Sequence, residues 1–136
     1  MNRTSLVNNL YKLIESSELD PEVGIRLGHL SGTKQFSLFG AEIGSQRVLS
    51  AHYHKYGEEI YLIIEGSGIM YLGEFDSSGN VEWEPPFEIN KGDCFTVDAN
   101  KVHQLCNNTE QRLVAVFGCS QSHLSTDRII LKGHDD

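Results

Sequence analysis

The chain has 136 residues, 39% apolar and 22% charged, which fits one globular domain around a single hydrophobic core. Thirteen glycines scatter without a fixed period, which excludes a collagen-like repeat and suits many short strands and turns. A formal charge of −8 repels phosphate backbones and anionic lipid, so the expected partner is a small-molecule substrate or ligand, with no nucleic acid and no membrane.

The first twenty residues carry no long apolar core and no small-residue cleavage site. No signal peptide is therefore expected, and the expected location is cytoplasmic. Leu6, Leu10, Leu13 and Ile14 recur at helical spacing. They predict one amphipathic helix, capped by Thr4 or Ser5, ending before Asp20-Pro21 and packed as a lid on the main body. From Thr33 the helical period gives way to β-rich runs over 33–43, 46–54, 58–65, 68–75, 81–89, 93–97, 102–107 and 112–119. A last weak strand is expected at 128–131. Pro85-Pro86 mark an edge or a bend in the fifth run. Gly, Asn and Ser clusters separate the runs, as in an all-β sandwich or barrel. The expected organisation is a single domain over 1–136, with an N-terminal helical arm at 1–32, a β-barrel at 33–119 and a C-terminal extension at 120–136. The most apolar run, residues 60–64, is too short to span a bilayer. Cys94, Cys106 and Cys119 are an odd set without paired spacing, expected as reduced thiols.

Two stretches carry chemistry. In the first, His52 and His54 share one face of a strand, because side chains alternate with period two. Glu59 opens the next strand after a short turn and can swing back toward the two imidazoles. Imidazole nitrogens with a carboxylate oxygen form a mixed donor set suited to first-row divalent metals. Parity places Ser50, Val48 and Gln46 on the His52 face, and Tyr61 and Ile63 on the Glu59 face. Leu105 and Asn107 share the face of His103. The second stretch, Gly92 to Asn107, reads as strand, turn and strand with one histidine. A lone histidine there is more often a satisfied core residue than a ligand.

Together the stretches resemble the paired signature motifs of the cupin superfamily. The first motif runs glycine, five residues, His-x-His, three or four residues, glutamate, six residues, glycine; His52, His54, Glu59 and Gly66 match it. The second runs glycine, five residues, proline, x, glycine, two residues, histidine, three residues, asparagine; Gly92, His103 and Asn107 match it. Gly44 sits seven residues before His52, Asp98 stands for the proline and Asn100 for the second glycine. Asp and Asn preserve the turn chemistry, Asn by tolerating the left-handed conformation. The resemblance covers about residues 33 to 119.

It implies an all-β fold, a double-stranded β-helix (cupin) jelly-roll barrel with a short N-terminal helix, often a homodimer. It also implies one divalent transition metal ion (Fe, Mn, Ni, Zn or Cu) held by His52, His54, Glu59 and His103. Tyr61 is the candidate group beside the metal or touching substrate; filling the barrel is an equal alternative for it. Such a site suits a mononuclear metal-dependent enzyme (isomerase, lyase or dioxygenase) acting on a small oxygenated substrate such as a sugar or organic acid. A non-catalytic metal-dependent binding or sensor protein is the alternative. Arg47 is expected to point outward, leaving no arginine clearly on the inward face. His29, His123 and His134 fit no motif position and read as ordinary loop or terminal residues.

Overall fold

The computed structural model describes residues 7–20 and 25–134. Thr4, Ser5, Leu6 and Pro21, invoked for the ends and period of the helix, lie outside the described residues. Helix α1 spans Leu10–Ser16 and its cap is Asn9, not an earlier residue. The Asn9 side chain accepts the backbone N–H of Tyr11 at 3.0 Å and of Lys12 at 3.1 Å, satisfying donors that the first turn leaves over. The helix lies against the outer face of the β-structure: Leu13 approaches so closely that a Cβ at Gly28 would sit 2.8 Å from it.

The strands are β1 (Leu19–Asp20), β2 (Ile25–Gly32), β3 (Ser37–Ile43), β4 (Ala51–Tyr53), β5 (Glu59–Glu65), β6 (Ser67–Phe75), β7 (Val81–Trp83), β8 (Phe87–Asn90), β9 (Cys94–Val97), β10 (Val102–Cys106), β11 (Leu113–Cys119) and β12 (Ile129–Leu131). They form two antiparallel sheets. One runs β1-β2-β3-β11-β5-β9, and the other runs β12-β4-β10-β6-β7 with β8 also on β6. Pro85-Pro86 break the fifth run into β7 and β8, as an imide nitrogen without a proton requires. Strand β2 falls inside the segment read as a helical arm, and β12 falls inside the segment read as an extension.

Alternation sets the core. Phe39, Ala41 and Ile43 of β3, Tyr61 and Ile63 of β5, and Leu113, Ala115 and Phe117 of β11 all turn inward. Register stacks them in rows, with Phe117 opposite both Phe39 and Tyr61 and Ala115 opposite both Ala41 and Ile63. Met70, Ile89, Val97 and Leu105 face them from the remaining strands.

The motif residues without ligand chemistry are turn-builders. Asn107 is buried and its amide donates to the carbonyls of Ile43, Gly44 and Gln111, while its oxygen accepts from Thr109. Asn100 adopts φ 66°, the left-handed conformation expected where the motif has glycine. Gly66 adopts φ 84°, and a Cβ there would press on the Arg112 carbonyl. Gly66→Ala is expected to cost at least about 1–2 kcal/mol for the backbone conformation alone. Urea denaturation measures it, and an unchanged midpoint would contradict this account of the glycine.

Candidate metal centre

Three strands, β4, β5 and β10, bring the candidate ligands together. His52 of β4 stands directly opposite His103 of β10 in register, so their rings lie 4.2 Å apart. His54 follows β4 by one residue, its ring 5.1 Å from that of His52. Glu59 opens β5 in the other sheet, so the cluster lies between the two sheets. Glu59 Oε2 is 2.8 Å from His54 Nε2, and its Oε1 is 3.7 Å from His103 Nε2. The structure thus assembles all four residues, with His54, Glu59 and His103 buried and His52 half-buried.

The parity extended upstream of His52 fails. Val48 bridges Cys106 whereas His52 pairs with His103, so the register shifts and one extra residue is absorbed between Val48 and His52. Val48 is accordingly 61% exposed and Gln46 is exposed. Leu49 turns inward instead and lines the cavity beside His52 and His54. Arg47 is exposed, as expected. Arg128, however, reaches the cavity wall while donating to Asp20 at 2.9 Å, so an inward arginine is present in the extension.

Each histidine ring is oriented by a backbone carbonyl. Nδ1 of His52 donates to Ser50, Nδ1 of His103 to Lys101, and Nδ1 of His54 to Asp127, at 3.0, 3.1 and 2.5 Å. These partners assign the proton to Nδ1 and leave Nε2 as the bare acceptor, as a metal ligand requires. Nε2 of both His54 and His103 is buried without a hydrogen-bond partner. A bare acceptor 2.8 Å from a carboxylate oxygen is two lone pairs in contact, which an intervening cation resolves. Ligand atoms of His52, His54 and His103 lie within 4.8 Å of one another, as do those of His54, Glu59 and His123. The cluster could hold one metal ion, and its donors suit a divalent first-row metal.

Electrostatics agree with this division. Burial holds the imidazoles of His52 and His103 below their usual range, so they stay neutral, with His103 adding to the effect at His52. Burial works to raise Glu59, but the hydrogen bond from His123 holds it well below the usual carboxylate range. Tyr61 donates its hydroxyl to Glu59 Oε1 at 2.9 Å, and burial beside that carboxylate pushes its own ionisation well up. Cys119 is likewise kept a thiol by burial and by Glu59. Among the described residues, Cys94, Cys106 and Cys119 form no disulfide.

His123, read from sequence as an ordinary loop residue, is fully buried in the cluster. It lies on a single 3-10 turn, Gln121–Leu124, capped by Ser120. Its Nδ1 is 2.9 Å from Glu59 Oε2 and its Nε2 is 2.5 Å from the Tyr56 carbonyl. The Ser-x-Ser pair ahead of it signals a turn, but nothing in its spacing ties it to a glutamate 64 positions away.

Above the cluster is a cavity of about 30 Å³, walled by Ile25 and Leu27 of β2, Leu49, Phe117, Leu124 and Arg128. Among the described residues, no helix is long and apolar enough to cross a membrane.

The family whose model matches, described as a cupin domain, covers residues 41–118. No curated protein matches the chain. Among solved structures it is similar to an uncharacterised protein with a double-stranded β-helix domain from Klebsiella pneumoniae, at 14% identity over 98% of this chain and 100% of that one, TM-score 0.68. It is similar to KdgF from a Halomonas species, at 15% identity over 76% and 84% of the two chains, TM-score 0.57. It is also similar to the DMSP lyase DddQ from Ruegeria pomeroyi, at 16% identity over 85% of this chain and 57% of that one, TM-score 0.60. The matched segment contains both histidine-bearing stretches and the strands that bring them together, and the neighbours share the fold: the chain belongs to the cupin family.

Proposed function

We propose that the chain is a mononuclear metal-dependent enzyme acting on a small oxygenated substrate, with His52, His54, Glu59 and His103 as ligands of one divalent transition metal. The observation that carries the reading is the buried, partnerless Nε2 of His54 and of His103, directed at the Glu59 carboxylate. A metal bound there supplies Lewis-acid polarisation of a substrate oxygen or a lowered pKa of bound water, chemistry that isomerases, lyases and dioxygenases use. One structural neighbour is a lyase by name, which supports an enzyme over a binding protein.

The chain's own residues shape the rest. Ile25, Leu27, Leu49 and Phe117 exclude water and limit the substrate to a few heavy atoms on its apolar side. Arg128, paired with Asp20, lines the same cavity and gives its apolar wall one polar side, which suits a small oxygenated substrate. Tyr61 holds Glu59 Oε1 and keeps its own proton, a supporting group beside the ligands. Three cysteines without a disulfide among the described residues fit a reducing cytoplasm. Leu38 and Ile60, exposed on either side of Gly118, and Leu62 beyond them form an apolar outer face that suits a homodimer. Light scattering reads that state, and a monomer at micromolar concentration would remove it.

The test uses protein purified without a metal-binding tag. Elemental mass spectrometry is expected to find one metal per chain, and small organic acids and sugars are then screened with and without O₂. Turnover of one substrate, abolished in His52→Ala, supports the enzyme. Tight binding without consumption replaces it with a ligand-binding protein, and protein that stays metal-free in excess divalent ions overturns the reading.

A further inference from the structure

The segment after β11 meets the cluster through two residues, His123 and Asp127. His123 packs its ring flat on that of His54, 4.1 Å apart and 5° from parallel. Four residues on, Asp127 takes the Nδ1 proton of His54 on its backbone carbonyl. The Asp127 carboxylate accepts the backbone N–H of Lys55 at 2.7 Å and of Tyr56 at 2.9 Å, pinning the turn between His54 and Glu59. Two of the four candidate ligands therefore meet this one segment.

His123 also lies in a second metal-like grouping with His54 and Glu59. Its ring nitrogens decide between the two roles. Nε2 faces the Tyr56 carbonyl and Nδ1 faces Glu59 Oε2, and both of these are acceptors. Both His123 nitrogens thus have hydrogen-bond geometry toward an acceptor, whereas Nε2 of His54 and of His103 has no hydrogen-bond partner. His52, His54 and His103 each spend only Nδ1 on a carbonyl and keep Nε2.

We infer that His123 is a positioning residue: its Nδ1–H grips Glu59 Oε2 and fixes the carboxylate toward the three imidazoles, without binding metal itself. The inference rests on the metal reading above and adds a part that the signature motifs do not contain. Oε1 is held by Tyr61 and Oε2 by His123, so the carboxylate is fixed at both oxygens. Partners that orient a ligand from outside contribute 10–100-fold in metal affinity.

Cobalt(II) is the probe, titrated into the full-length chain with its visible spectrum and dissociation constant as readouts. Asparagine places an amide N–H near the position of Nδ1, glutamine near that of Nε2. His123→Asn is expected to bind within about threefold of the parent, whereas His123→Gln and His123→Ala lose about 10–100-fold. Thermal denaturation of the chelated proteins confirms that each is folded, and if His123→Ala is not, the Asn and Gln variants carry the comparison. Equal affinity in all variants would reduce His123 to a packing residue and overturn the inference. So would a loss in His123→Asn as large as in His123→Gln with shifted absorption bands at saturation, the mark of a lost ligand. Parent protein that takes up no cobalt removes the metal reading itself, a failure visible before any variant is made.

Discussion

Glu59→Ala is expected to destabilise the metal-free protein by about 3–5 kcal/mol, the cost of removing one partner of a buried ion pair. Glu59 and His123 are both buried, at 2.9 Å, and the Tyr61 hydroxyl shares the carboxylate. Truncation leaves the His123 Nδ1–H and the Tyr61 hydroxyl facing an empty space. The pH dependence follows from two opposite shifts. Glu59 is held below its usual 4.5, so its contribution is present above that value and is lost as pH falls through the lower folded one. His123 is affected first by burial, which lowers it, but hydrogen bonds to Glu59 and to the Tyr56 carbonyl carry it above its usual 6.5. Its contribution is full below 6.5 and is lost as pH rises through the folded value. The gap between parent and Glu59→Ala is thus widest at pH 4.5–6.5. Urea denaturation at pH 6 reads it, and a gap under about 1 kcal/mol would mean that the pair is not ionised.

Metal should matter almost as much. At a free concentration one hundred times its dissociation constant, a divalent ion bound only to the folded chain adds about 2.7 kcal/mol. For 136 residues that is a rise of roughly 8–13 °C in melting temperature, at about 3–5 °C per kcal/mol. His52 and His103, held neutral by burial, spare the metal from proton competition at pH values where a free imidazole is half-charged. The same depression lowers metal-free stability as pH drops below 6.5, because only the unfolded chain then takes up those protons. The metal-induced rise is therefore expected to survive at pH 6 and to disappear on further acidification, through the folded values of the two imidazoles. Scanning calorimetry with and without chelator tests this. An unchanged melting temperature in Mn, Fe, Ni, Cu and Zn would contradict it.

The convergence of the four motif positions was legible because the motif fixes their spacing: two residues along one strand, a short turn, and a histidine placed by a second turn. The β-class was legible from alternation, which holds through β3, β5 and β11. Strand β2 escaped because its own pairing shifts register between His29 and Ser31 and because Arg26, Gly28 and His29 interrupt the apolar pattern. The inward turn of Leu49 escaped for a related reason: an extra residue breaks period two, and no composition rule announces it. His123 and Arg128 lie in a polar stretch with no periodicity. Their burial comes from contacts across more than sixty positions to Glu59 and more than one hundred to Asp20, which local pattern does not encode.

The extra residue ahead of His52 also separates two jobs that an unbroken strand would bind together. In regular pleating the neighbour that shares a wall with residue 52 is residue 50, so any change in pocket lining would tug on the backbone that aims the imidazole. Here the wall is Leu49, on the far side of the kink, while the ring at 52 is locked by its partner on β10. Side-chain volume at 49 is thereby free to vary while the histidine-bearing strand stays still. The shape of the cavity can change there without moving the clustered histidines.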